Sequence, residues 1–91
     1  MFEVSLRSSR VQRELDSLQK TDYERVIAKL KALSTDRRPK GCEKLLDNIY
    51  RIRVGDIRII YLIDEPMKHI EIGAIRRRTE RTYRETQDLF R

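Results

Sequence analysis

Cysteine and histidine occur once each in this 91-residue chain, as Cys42 and His69. A single cysteine excludes an internal disulfide. One Cys and one His do not make an ordinary zinc site. A Ser-His-Asp triad would need His69 as its base, and no serine sits in a recognisable nucleophile turn. Long apolar runs are missing too. The longest span a few residues, too short for a membrane helix or a signal-peptide core. The opening Met-Phe-Glu-Val-Ser-Leu-Arg reads as a first strand, not a targeting segment, so a cytoplasmic protein is expected. No Gly/Ser/Pro-rich stretch marks a linker and no internal repeat is visible. The expectation is one domain over residues 1–91 with a modest core.

Charge is abundant. Charged residues make up 40% of the chain and hydrophobic ones 38%, but the apolar residues fall into periodic clusters, which argues against disorder. The net charge is +6 and the pI about 9.8. The excess is local, at Arg37-Arg38-Pro39-Lys40, at Arg51, Arg53 and Arg58, and at Arg76 to Arg84. Such a balance favours nucleic acid or an acidic protein as partner; a solvated basic surface is the bland alternative.

Apolar spacing predicts the elements. Phe2, Val4 and Leu6 alternate with polar residues as in a half-buried strand. Ser9 to Gln12 and Thr21 to Glu24 have the form of capping boxes, each opening a helix. The first helix carries Val11, Leu15 and Leu18, and the second carries Tyr23, Val26, Ile27, Leu30 and Leu33. Residues 34–47 read as a basic loop. Strands follow at about 48–54, 57–64 and 68–75, turning at Gly55-Asp56 and at residues 64–67. In the third, Ile70, Ile72 and Ala74 alternate with His69, Glu71 and Gly73. The tail from Thr79 reads as helical, with Thr82 to Glu85 as its cap and Leu89-Phe90 as its apolar contact. The sum is an α+β fold: N-terminal strand, helical hairpin, three-stranded antiparallel meander and short C-terminal helix.

Residues 50–63, Tyr-Arg-Ile-Arg-Val-Gly-Asp-Ile-Arg-Ile-Ile-Tyr-Leu-Ile, are the most informative run. Alternation puts Tyr50, Ile52 and Val54 on one face and Arg51 and Arg53 on the other, and Arg58 opposite Ile57, Ile59 and Tyr61. Three guanidinium groups then project from a sheet whose other face packs under the helices, with Ile70 and Ile72. That arrangement suits a phosphate chain. The same side chains also make an ordinary solvent face. Tyr50 and Tyr61 read as core, Cys42 as an ordinary partly buried thiol, and His69 as exposed and without a role.

With this hairpin, Lys44-Leu45 before it and Ile75-Arg-Arg-Arg-Thr-Glu-Arg-Thr-Tyr83 after it, the chain resembles the RelE/ParE superfamily of toxins from toxin–antitoxin systems. RelE-like members cut mRNA in the ribosomal A site; ParE-like members poison DNA gyrase and lack the ribonuclease residues. The resemblance implies the first branch. It assigns catalysis to Arg51, Arg53, Arg58, Arg77 (or Arg78) and Tyr83, and the other clustered cations, Arg37, Arg38, Lys40, Lys44, Arg76, Arg78 and Arg81, are expected to bind RNA. Arginines stand at 51 and 53 where the best-known RelE has lysines, and Ile57 replaces a tyrosine. It also implies a cognate antitoxin in a hetero-oligomer, mRNA and the ribosome as partners, no membrane association, and no cofactor or metal. A non-enzymatic ParE-like inhibitor of gyrase or another protein is the alternative. The chemistry needs a donor set for the charged phosphate, which arginine supplies, and a proton acceptor, for which Tyr83, Glu80 and Glu85 stand open.

Overall fold

The computed structural model describes residues 1–77 and Phe90. Seven elements follow in order: β1 (Glu3–Leu6), α1 (Ser9–Asp16), α2 (Lys20–Leu33), β2 (Glu43–Leu46), β3 (Ile49–Val54), β4 (Ile57–Asp64) and β5 (His69–Arg77). The sheet runs β1-β5-β4-β3-β2, with β1 parallel to β5 and the other pairs antiparallel. The fold is the expected α+β arrangement, with strand, helical pair and meander in the predicted order. The tail helix and its cap fall outside the described residues.

β2 lies inside the segment expected to be a loop. Glu43-Lys-Leu-Leu46 has no period-two alternation, and it pairs on one side only, with a register shift between Lys44 and Leu46. The turn into β3 passes through Asp47, whose φ of 43° is left-handed. Aspartate tolerates that conformation.

Both helices start upstream of their capping boxes. α1 follows Ser8 and α2 follows Gln19, and neither N-cap side chain bonds to its helix. Ser9 and Thr21 are therefore already helical, and Gln12 bonds to Asp16 one turn on instead of reaching back. Val11, Leu15, Val26, Leu30 and Leu33 face the sheet; Tyr23, expected in the stripe, is exposed.

The main core lies between helices and sheet. Tyr50, Ile52, Ile57, Ile59, Tyr61, Ile63, Ile70, Ile72 and Ile75 pack there, with Val54 at its margin. Each such side chain contributes about 1.5–3 kcal/mol by leaving water. The other face carries a smaller apolar cluster of Ile49, Ile60 and Ala74 beside Leu45, Leu62 and Phe90. Simple alternation would put Ala74 beside Ile70 and Ile72. A bulge moves it: Tyr61 pairs with Ile72 but Ile60 with Ala74, leaving Gly73 as the extra residue. One inserted residue exchanges the two faces of everything that follows.

Candidate functional site

Register builds the site. Arg53 on β3 pairs with Arg58 on β4, and Arg58 pairs with Arg76 on β5. Directly opposite side chains have Cβ atoms about 4.5–5.5 Å apart. Three arginines thus form a row across three strands on the face away from the helices, and Arg51 stands two positions back on β3. Arg51, Arg53 and Arg58 line a hollow of about 240 Å³ with Gly41 and Glu43. Arg53 is exposed; Arg51 and Arg58 are half-buried, and Arg58 Nε is shut off from solvent.

Glu43 is a site residue that the sequence reading misses. It pairs with Arg51 across β2 and β3, and Arg51 Nη2 donates to Glu43 Oε2 at 2.6 Å. The Arg51 side chain is only 12% exposed and that of Glu43 60%, so the carboxylate stands at the mouth of the hollow. The Asp47-Asn48 dipeptide is the signal that could have found it. A two-residue turn there makes Glu43-Lys-Leu-Leu46 a hairpin partner of β3.

The bulge also decides which C-terminal arginine joins the row. Without it Arg77 would share a face with Arg58. With it Arg76 does, while Arg77 lies opposite Ile57 on the helix side, 3.6 Å from Asp22 of α2. Arg76 Nε donates to Glu14 Oε2 at 2.6 Å. Among the described residues no group of three or more His, Cys, Asp or Glu side chains is placed to hold a metal ion.

The sequence matches, over residues 6–82, the family described as ParE toxin of type II toxin–antitoxin system, parDE. The chain belongs to the RelE/ParE toxin superfamily. Solved structures agree on the fold. A chain of the archaeal RelE–RelB complex from Pyrococcus horikoshii OT3 is 26% identical, with 87% of this chain and 97% of that one covered and a TM-score of 0.75. The isolated Escherichia coli RelE toxin is 17% identical, with both chains covered fully and a TM-score of 0.75. The RelBE2 toxin–antitoxin complex of Mycobacterium tuberculosis gives 21% identity, 85% and 98% coverage and a TM-score of 0.67. No curated protein sequence matches the chain.

Of the other cations expected to bind RNA in this RelE/ParE chain, Arg37, Arg38 and Lys44 sit apart from the hollow. Arg37 and Arg38 both donate to Glu65 in the β4–β5 turn, at 3.2 and 2.7 Å. Arg38 also donates to the Tyr50 hydroxyl, and Arg37 lies over the Phe2 ring. These bonds tie the α2–β2 connection to the far end of β4. Hydrogen bonds from Arg38, then Arg37, hold the Glu65 carboxyl below the usual carboxylate range. Lys44 pairs with Tyr50 in register, which puts it on the helix side. Lys40 is exposed next to Gly41 at the hollow's rim. Tyr50 and Tyr61 are core residues, their rings stacked at 5.9 Å. Burial pushes the Tyr61 phenol up, and its hydroxyl donates to the Arg37 carbonyl. Cys42 is partly buried against the core. His69 is not exposed as expected: it is half-buried, and a 2.6 Å hydrogen bond joins its Nε2 to Ser5 Oγ on β1. Tyr83, Arg78 and Arg81, with the carboxylates Glu80 and Glu85, lie outside the described residues. No described helix is long and apolar enough to cross a membrane.

Proposed function

We propose that this toxin is a ribosome-dependent endoribonuclease that cuts mRNA in the A site by attack of the RNA's own 2′-OH. The observation that supports it is the convergence of Arg51, Arg53 and Arg58 on one polar hollow. In the proposed reaction the 2′ oxygen bonds to phosphorus and the bond to the 5′ oxygen breaks, leaving a 2′,3′-cyclic phosphate. The arginines bind the non-bridging oxygens as negative charge grows on them, the kind of preorganised donor set that dominates many such barriers. Arginine stays protonated and does not take the 2′ proton. Glu43, at the mouth of the hollow, is the proposed acceptor. Tyr83 is the proposed partner of the 5′ oxygen, and Arg76, which the bulge puts on the site face in place of Arg77, is a further cation at the end of β5. No cofactor enters the scheme.

The same reading includes a cognate antitoxin in a toxin–antitoxin hetero-oligomer, with the toxin acting as a single domain in the cytoplasm. Relatives in P. horikoshii and E. coli are solved as RelE–RelB and RelBE complexes, and a basic face suits an acidic or amphipathic partner segment. A second reading is favoured by the family description, which names ParE toxins. Under it the chain is a non-enzymatic inhibitor of a protein target such as DNA gyrase.

Inducible expression with primer extension on a reporter mRNA separates the two. The expected result is cleavage inside codons only when the message is translated. Growth arrest with intact mRNA and accumulated gyrase-linked DNA breaks would overturn the ribonuclease and leave the second reading.

A further inference from the structure

β1 stops short of the site. Its last pair with β5 is Leu6 with Ile72, and the Arg7 N–H donates to the Ile72 carbonyl. Beyond that point α1 takes over the outer edge of β5. Arg10 and Glu14 are four residues apart on α1 and so lie on one face. Arg10 Nη2 donates to the Gly73 carbonyl at 2.9 Å, and Glu14 Oε1 accepts the Ile75 N–H at 3.2 Å. Two side chains thus supply the acceptor and donor that a longer strand would have offered.

Sealing an edge N–H needs one neutral oxygen, and glutamine would serve. Glu14 has a second oxygen, and its contacts are of another kind. Oε2 accepts from Arg76 Nε at 2.6 Å and from Arg10 Nη1 at 3.1 Å. The Glu14 side chain is 18% exposed, so this charge is shielded less by solvent than a surface pair would be. A bond through Nε sets the plane of the guanidinium fork, because the group is rigid. Arg76 is the outer member of the row it forms with Arg58 and Arg53. Glu14 is not among the residues that line the hollow.

On the ribonuclease reading above, we propose that Glu14 is a positioning residue: its carboxylate holds Arg76 in line with Arg58, extending the cationic row that grips the RNA backbone beyond the hollow. Glu14 touches no substrate and acts through Arg76.

The test is a double-mutant cycle of Glu14→Gln and Arg76→Ala in single-turnover cleavage on programmed ribosomes. Glu14→Gln keeps an oxygen for the Ile75 amide and removes the charge. It should slow cleavage roughly 10-fold, the size of coupling seen between contacting residues, and have no further effect once Arg76 is alanine. The Arg76 Nε–H resonance, observed with labelled arginine, should move on Glu14→Gln while thermal melting stays near wild type. Wild-type cleavage by Glu14→Gln overturns the inference. Equal slowing in both backgrounds, or a loss of melting temperature that accounts for the slowing, also overturns it and leaves edge sealing alone. A wild-type protein that cuts no RNA fails before any substitution is made, which brings down the ribonuclease reading and this inference together.

Discussion

Arg58 sits where three strands bring positive charge together, with Arg53 and Arg76 opposite it in register and Arg51 beside it in the hollow. Like charges directly opposite one another disfavour a sheet, so the row costs stability that a bound phosphate would recover. Removing one preorganised donor should show in rate more than in folding. Arg58→Ala is expected to lower single-turnover cleavage about 100- to 1000-fold while the thermal melt stays cooperative. Glu43→Gln keeps the shape of the side chain and removes the proposed proton acceptor, so its expected loss is on the order of 100- to 10,000-fold. If Glu43→Gln cuts at the wild-type rate and Tyr83→Phe does not, the acceptor belongs to Tyr83. Arg51, Arg53 and Arg58 are legible in the sequence, because residues 50–58 alternate. Glu43 is legible only through the Asp47-Asn48 turn signal, and Glu14 is not, because it reaches the site through Arg76 on a strand far along the chain.

Gly73 is the hinge of the sheet's geometry. Its bulge exchanges Arg76 for Arg77 on the site face, and the Phe90 ring lies directly over it where a Cβ would collide. The Arg7 guanidinium also lies over that ring, 5.6 Å from its centroid. Gly73→Ala is therefore expected to destabilise the fold by about 1–3 kcal/mol, as overpacking does. Phe90→Ala should remove most of that penalty, so denaturant melts of the double mutant should fall short of the summed single effects; full additivity would mean Phe90 is not seated there. The α2–β2 connection is held by another contact, the bonds of Arg37 and Arg38 to Glu65. The Glu65 carboxyl has a lowered folded-state pKa, so its stabilising effect is complete above the unfolded value of roughly 4.3 and fades as pH falls through the folded one. Wild type should melt above Glu65→Gln at pH 7, and the gap should close on acidification below about pH 4. A gap that persists in strong acid would assign the stabilisation to packing.

At the scale of the whole molecule, the net charge of +6 is not spread evenly in effect. Arg37 and Arg38 are engaged at one end of β4 by Glu65, while the row of Arg53, Arg58 and Arg76 crosses the other end. Four arginines on backbone phosphates should give RNA binding a log–log salt slope of roughly −3, from about −0.7 per contact on a single strand. Arg53→Ala should flatten it by about one contact's worth; a response to salt that is flat in wild type would point to a neutral protein interface instead. Period and order in the sequence were enough for the α+β class, the meander, the helix-facing core and a cationic face, because alternation and helical spacing are local consequences of backbone geometry. Whether Arg76 or Arg77 faces the site depended on one bulged residue, which no period announces. The return of Phe90 to the sheet and the reach of Glu14 around its edge were decided only by tertiary structure. Each is a contact between segments whose separation along the chain says nothing about their separation in space.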